Sequence, residues 1–290
     1  MRIGGPIFKK CSTPEEMIQR HRELGYSAAA TGYISDRNQR EEYKHAFAEA
    51  DIVLAELGAY GINILDTDPL LRKSNISLIK QRLIEADEMG ALCCVIHGGT
   101  VETGEWGNPH PDNTSERSFE ETVRIVQDIL DEVQPQNSKL VLEACYTLPH
   151  NPDVYLRLVE TIDRIGFGVH LDPINMLTSP ERYYNNAEFT KDCFAKLGPH
   201  IVSCHGKDVI MKRHWPLFID EETTIGNGFF DWGVYLKELD AMHEDMPLLI
   251  EHLTEEQLAP SLNFLSRKAA EVGVTFKNSH LTASGREIKS

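Results

Sequence analysis

The chain has 290 residues and a formal net charge of −16, with an isoelectric point near 5.2. That length suits one barrel-sized domain, and so acidic a surface repels phosphate backbones, which excludes nucleic acid as a default partner. Six cysteines without CxxC spacing and no apolar run of membrane-spanning length predict a cytoplasmic protein, built without a disulfide framework and without contact with a membrane.

In chain order, Arg2 to Gly5 reads as a first strand, and Pro14-Glu-Glu16 opens a helix behind the capping candidates Ser12 and Thr13. That helix ends at Gly25, and Tyr26 to Tyr33 is the second strand. Tyr43, Phe47, Ala50, Val53 and Leu57 fall at helical spacing, which predicts a second helix from Asp36 to Leu57 and a short third strand over Ile62 to Leu65. A third helix follows Asp66-Thr-Asp-Pro69, with Ile76, Ile79, Leu83, Ala86 and Met89 on one stripe before Gly90. The fourth strand, Ala91 to Ile96, ends at His97. Residues 100–114 form a long loop carrying Trp106, of the kind that shapes or covers a site.

Helix four spans Ser115 to Val133 and strand five Lys139 to Cys145. Helix five opens at Asn151 and ends at Gly166, strand six is Phe167 to Asp172, helix six Asn186 to Leu197, and strand seven Ile201 to His205. A second long loop, Gly206 to Gly228, carries Lys207, Asp208, Arg213 and His214. Asp231 and Trp232 begin helix seven, Pro247 to Glu251 is strand eight, and the last helix covers Thr254 to Val272. Eight strand-helix units predict a single-domain (β/α)8 TIM barrel over residues 1–276 and a polar tail over 277–290. The tail and the helical surfaces are the candidate contacts for self-association.

Four strands end alike. Leu140-Val-Leu-Glu143, His170-Leu-Asp172, Ser203-Cys-His205 and Leu249-Ile-Glu251 alternate so that Val141 and Glu143, His170 and Asp172, Ser203 and His205, Leu249 and Glu251 share the inner face. Leu140, Leu142, Val169, Leu171, Val202, Cys204, Leu248 and Ile250 then face the covering helices. The ends lie 29, 33 and 46 residues apart, each about one strand, one helix and their loops, so they gather at one mouth. Three carboxylates and an imidazole suit one octahedral divalent cation, Mn²⁺ first, with Mg²⁺, Co²⁺ and Zn²⁺ accommodated. Two open positions on such an ion would chelate a substrate carbonyl and its neighbouring hydroxyl, stabilising the enediolate left when a carbon-bound proton departs. Glu143 and Glu251 on opposite sides of that carbon would then transfer the proton, giving epimerisation, or isomerisation if it returns to the next carbon.

These stretches, together with His205-Gly-Lys207-Asp208, Leu171-Asp172-Pro-Ile-Asn175, Ile225-Gly-Asn-Gly-Phe-Phe-Asp231-Trp232 and Ile250-Glu251-His252, resemble the sugar phosphate isomerase/epimerase superfamily. Those xylose isomerase-like TIM barrels include ketose 3-epimerases, hydroxypyruvate and inosose isomerases and the endonuclease IV branch. The matching pieces cover about the last half of the chain. The resemblance implies that Glu143, Asp172, His205 and Glu251 are single-metal ligands, that the two glutamates are the acid-base pair, and that the substrate is a small sugar or polyol-derived molecule. Lys207 then neutralises an oxyanion or pairs with Asp208 or another acid. His97 touches substrate or makes a structural hydrogen bond, Asn175 stands where some epimerases carry a substrate-binding histidine, and Trp106 stacks on a sugar face or packs under its loop. Arg213 is a further substrate-binding candidate. The same ligands would serve a dehydratase or lyase acting on an oxidised sugar, inosose or glycoside. An endonuclease is disfavoured, because Thr67-Asp68-Pro69 and Asp220-Glu221-Glu222 stand where that branch carries its extra histidines.

Overall fold

The computed structural model describes residues 1–281 except 105, 146, 215 and 216, and gives the backbone but no side chains for 213, 214 and 217–220. Arg213 and His214 therefore have their side chains outside the described residues, as do all groups of the tail beyond 281.

Eight parallel strands form the barrel: β1 (Arg2–Gly4), β2 (Ala28–Thr31), β3 (Val53–Gly58), β4 (Cys93–Ile96), β5 (Lys139–Glu143), β6 (Phe167–Leu171), β7 (Ile201–Gly206) and, after a hairpin, β10 (Pro247–Ile250). They are ordered β1-β10-β7-β6-β5-β4-β3-β2. The Ser27 amide donates to Ile3 O at 2.8 Å across the remaining seam. A side chain at Gly4 would come within 2.3 Å of Ala28 O, so only glycine lets β1 and β2 approach this closely.

Between the strands run α1 (Pro14–Leu24), α2 (Arg37–Glu49), α3 (Pro69–Met89), α4 (Glu116–Val133), α5 (Pro152–Ile162), a short α6 (Pro180–Tyr184), α7 (Asn186–Leu197), α8 (Trp232–Met242) and α9 (Glu255–Val272). Most begin on a side-chain cap of the expected kind, such as Thr13 on α1, Asp68 on α3 and the reciprocal Thr254–Gln257 pair on α9. Leu140, Leu142, Val169, Leu171, Cys204, Leu248 and Ile250 pack against these helices. Inside the barrel Val141 meets Cys93 and Val95, and Leu249 meets Ala28 and Ala55.

Four expectations need correction. The second helix stops at Glu49, and Val53–Gly58 is the third strand, whereas residues 62–65 form no strand. There Asn63 staples the loop, donating to Thr100 O at 2.9 Å and accepting from Leu65 N at 3.1 Å. The segment 206–228 is not one irregular loop but carries an antiparallel hairpin, β8 (Asp208–His214) and β9 (Leu217–Thr223). Helix α5 ends on Asp163 in the left-handed region rather than at Gly166. Finally, the register shifts beside Val202, which turns inward against the Cys93, Val95 and Val141 cluster instead of facing a helix.

Of the polar tail, residues 277–281 return to the chain's own barrel. The Lys277 amide donates to Met1 O at 2.8 Å, its ammonium reaches Asp245 at 2.8 Å, and Leu281 is buried. No helix among the described residues is long and apolar enough to cross a membrane.

Candidate metal centre

At the C-terminal mouth, Glu143 closes β5, Asp172 follows β6, His205 lies at the end of β7 and Glu251 follows β10. One donor atom from each lies within 4.8 Å of the others. His205 Nδ1 stands 3.3 Å from Glu143 Oε1 and 2.9 Å from Glu251 Oε2. Lys207 Nζ lies 2.9 Å from Asp172 Oδ2 and also donates to Glu251 Oε1. Asp172 is wholly buried, and its Oδ1 accepts from the Ile174 amide at 2.9 Å. Charges so enclosed persist only with partners.

Electrostatics follow from this packing. Burial pushes the Glu143 carboxyl up, but hydrogen bonds from His205 and His97 and the charge of His205 outweigh it and hold the group well below the usual range. Burial is likewise overcome at Glu251 by His205 and Lys207, leaving that carboxyl low. At Asp172 burial prevails over Lys207, and its pKa is raised. His205 is driven well above 6.5 because Glu56, Glu251 and Glu143 outweigh its burial. Three carboxylates thus draw positive charge onto an imidazole and an ammonium, which is the environment a divalent cation would satisfy. The donor set, hard oxygens with one imidazole, fits such an ion.

The other expected residues arrange themselves round this cluster. Asn175 Nδ2 donates to Glu143 Oε1 at 3.1 Å, and His97 Nε2 lies 3.3 Å from Glu143 Oε2. Trp106 stacks on His97 with centroids 4.1 Å apart and remains 37% exposed, so it walls the mouth rather than filling the core. Lys207 pairs with Asp172 and Glu251, not with Asp208. Asp208 instead gathers the amides of Gly226 (2.8 Å), Val209 (3.0 Å) and Gly228 (3.3 Å) and the Trp232 indole (3.2 Å), which fixes the glycine turn and leaves Trp232 in the core.

Four contributors were not assigned to the site from the sequence. Glu56 on β3 is buried against His205, Tyr60 donates to Glu56 at 3.1 Å, Glu222 on β9 approaches Lys207 at 3.9 Å, and His252 bonds Glu222 at 2.7 Å. A signal for the strand existed, since Val-Leu-Ala-Glu-Leu-Gly58 is an apolar run bounded by a glycine, but it does not give the face of Glu56. Of the acids set against the endonuclease pattern, Asp68 caps α3, bonding the Leu70 amide at 2.8 Å, and Glu222 belongs to the His252 pair.

A parallel eight-stranded barrel with an acidic and imidazole cluster at its C-terminal mouth defines a TIM-barrel protein with a candidate metal site. The family model described as xylose isomerase-like TIM barrel matches residues 18–272, and the chain belongs to that family. No curated protein matches it by sequence. Among solved structures, 3-keto-D-glucoside 4-epimerase from E. coli is 18% identical, with a TM-score of 0.67 over 92% of this chain and 99% of that one. D-psicose 3-epimerase from Clostridium cellulolyticum H10, solved with D-tagatose, is 13% identical, with a TM-score of 0.67 over 94% and 98%. A xylose isomerase-like TIM barrel protein from Mycobacterium smegmatis, in complex with magnesium, is 14% identical, with a TM-score of 0.62 over 90% of each chain. At these identities the likeness is one of fold.

Proposed function

We propose that the chain is a divalent-metal-dependent sugar isomerase or epimerase that moves a proton on the carbon beside a carbonyl, in the manner of the ketose 3-epimerases. The observation that carries this reading is the placing of Glu143 and Glu251, which come from strands flanking β6 and β7 and meet on the same imidazole nitrogen at 3.3 and 2.9 Å. A carbon held between them has a carboxylate on each side. Glu143, Asp172, His205 and Glu251 would hold the cation, Mn²⁺ first among Mg²⁺, Co²⁺ and Zn²⁺, and when bound it would supply positive charge to the oxygens of the substrate.

This chain's own groups do the rest. Asn175 and His97 fix the two oxygens of Glu143, which orients it as a base. Lys207 keeps an ammonium beside Glu251, where it steadies negative charge on a substrate oxygen. Trp106, stacked on His97, offers an exposed ring to a sugar face, and Arg213, whose side chain lies outside the described residues, stays a substrate-binding candidate on the strength of the sequence. All six cysteines are unpaired, which supports a cytoplasmic setting.

The test is entry of solvent deuterium at the carbon next to the carbonyl, followed by NMR over a panel of ketoses and inososes with Mn²⁺-loaded protein. Glu143→Gln should slow exchange by about 10²- to 10⁴-fold. Full exchange in a Glu143→Gln protein that still holds its ion would defeat the mechanism. Release of water or of a glycosidic leaving group, instead of a second sugar, would assign the same site to a dehydratase or lyase.

A further inference from the structure

Glu56 is no member of the quartet, yet it is 3% exposed and lies directly beneath it. Its route inward is a bulge: Ala29 pairs with Leu54 but Ala30 with Glu56, so Ala55 is the extra residue, and Leu54 and Leu57 both join the helix-packed core. The Glu56 carboxylate then stands 3.2 Å from His205 Nε2 through either oxygen. Tyr60 donates to Oε1 at 3.1 Å, and His170 Nδ1 lies 3.7 Å from Oε2. The His170 ring meets the His205 ring edge-on at 4.1 Å, and is itself tied to Ser203 Oγ at 2.5 Å. The imidazole of His205 is therefore gripped from below while its Nδ1 faces Glu143 and Glu251.

A neutral imidazole carries one N–H and one lone pair, and the hydrogen bond made by one nitrogen decides what the other offers. We propose that Glu56 is a positioning residue of the metal centre: it accepts the Nε2 proton of His205 and so fixes the tautomer and ring plane in which the Nδ1 lone pair points at the space shared by Glu143, Asp172 and Glu251. This rests on the reading of His205 as a metal ligand. The residues beneath also suggest a rival use, because donors of Glu56, His170 and His205 lie within 4.8 Å of one another and resemble a second ion site. Serving two ions would oblige His205 to surrender both ring protons, whereas a carboxylate below an imidazole ligand needs no such cost.

The experiment compares the wild-type chain, Glu56→Gln and Glu56→Ala in Mn²⁺ affinity by chelator competition, in ion stoichiometry, and in the ¹⁵N spectrum of the Zn²⁺-loaded His205 ring. The wild type should bind one ion and show a protonated, slowly exchanging Nε2. The variants should lose about 10- to 100-fold in affinity and the slow Nε2 proton, and neither substitution should cost anything further in a His205→Ala background. Glu56→Gln, which keeps the side-chain shape, carries the test if Glu56→Ala does not fold. Unchanged affinity and spectrum, an equal further loss in the His205→Ala background, or two wild-type ions of which one disappears in Glu56→Ala would each overturn the proposal. A wild-type chain that takes up no divalent ion overturns the metal reading together with it, while normal uptake with indifferent Glu56 variants overturns this inference alone.

Discussion

Lys207 shows how much a single residue depends on its surroundings. Two positions beyond His205, it had two readings in the sequence, oxyanion neutraliser or ion-pair partner; its ammonium now lies 2.9 Å from the buried Asp172 and also holds Glu251. Removing one partner of a buried pair leaves a charge without compensation, at a cost of about 3 kcal/mol. Lys207→Met should therefore lower the thermal midpoint of metal-free protein, and Mn²⁺ should restore more of it than it adds to the wild type. A calorimetric series with equal Mn²⁺ increments in both proteins would count against the pairing. Glu143, Asp172, His205 and Glu251 were legible because strand alternation fixes the face of each. Glu56 was not, because a bulge moves it to the inner face.

That bulge is an element-scale event. Val53 and Leu57 stand three and seven residues beyond Ala50, a spacing that imitates a helix and extended the predicted second helix through both, whereas in the strand Ala55 is inserted and Leu54 and Leu57 join the helix-packed core. The β8–β9 hairpin was hidden for another reason. Its pairing is between segments of one excursion from the barrel, and its flanking turn is fixed by Asp208 rather than by a hairpin dipeptide. A Cβ at Gly228 would come within 1.9 Å of Asp208 Oδ1 and 2.6 Å of Val209 O, whereas one at Gly32 would meet nothing within 4 Å. Gly228→Ala should cost about 3 kcal/mol in urea unfolding and Gly32→Ala within about 0.5 kcal/mol. Equal midpoints for the two would refute the role given to Asp208.

Over the whole molecule, stability against pH is a sum over groups whose surroundings oppose one another. Burial holds His21, wedged between Tyr26 and Phe47, below 6.5, and drives His170 down to about 4. As pH falls below 6.5 the unfolded chain binds protons that these folded imidazoles refuse, so each costs stability there; the metal-free His205, whose pKa is raised, contributes in the opposite sense and loses its contribution as pH rises through that pKa. His21 is remote from the mouth and isolates one term. His21→Phe keeps the ring packing, and the difference in melting temperature between it and the wild type should grow in its favour from pH 7 to pH 5. A difference constant across that range would show that His21 titrates alike in both states.

The sequence by itself determined the count of eight units and the inward face of Glu143, Asp172, His205 and Glu251, because alternation and helical periodicity are local and each repeats over several residues. Spacing alone was enough to bring four strand ends to one rim. Only the tertiary structure decided which groups complete that rim. The bulge that turns Glu56 inward and the choice of Lys207 for Asp172 and Glu251 over its neighbour Asp208 depend on contacts between segments far apart in the chain, and no local pattern encodes them.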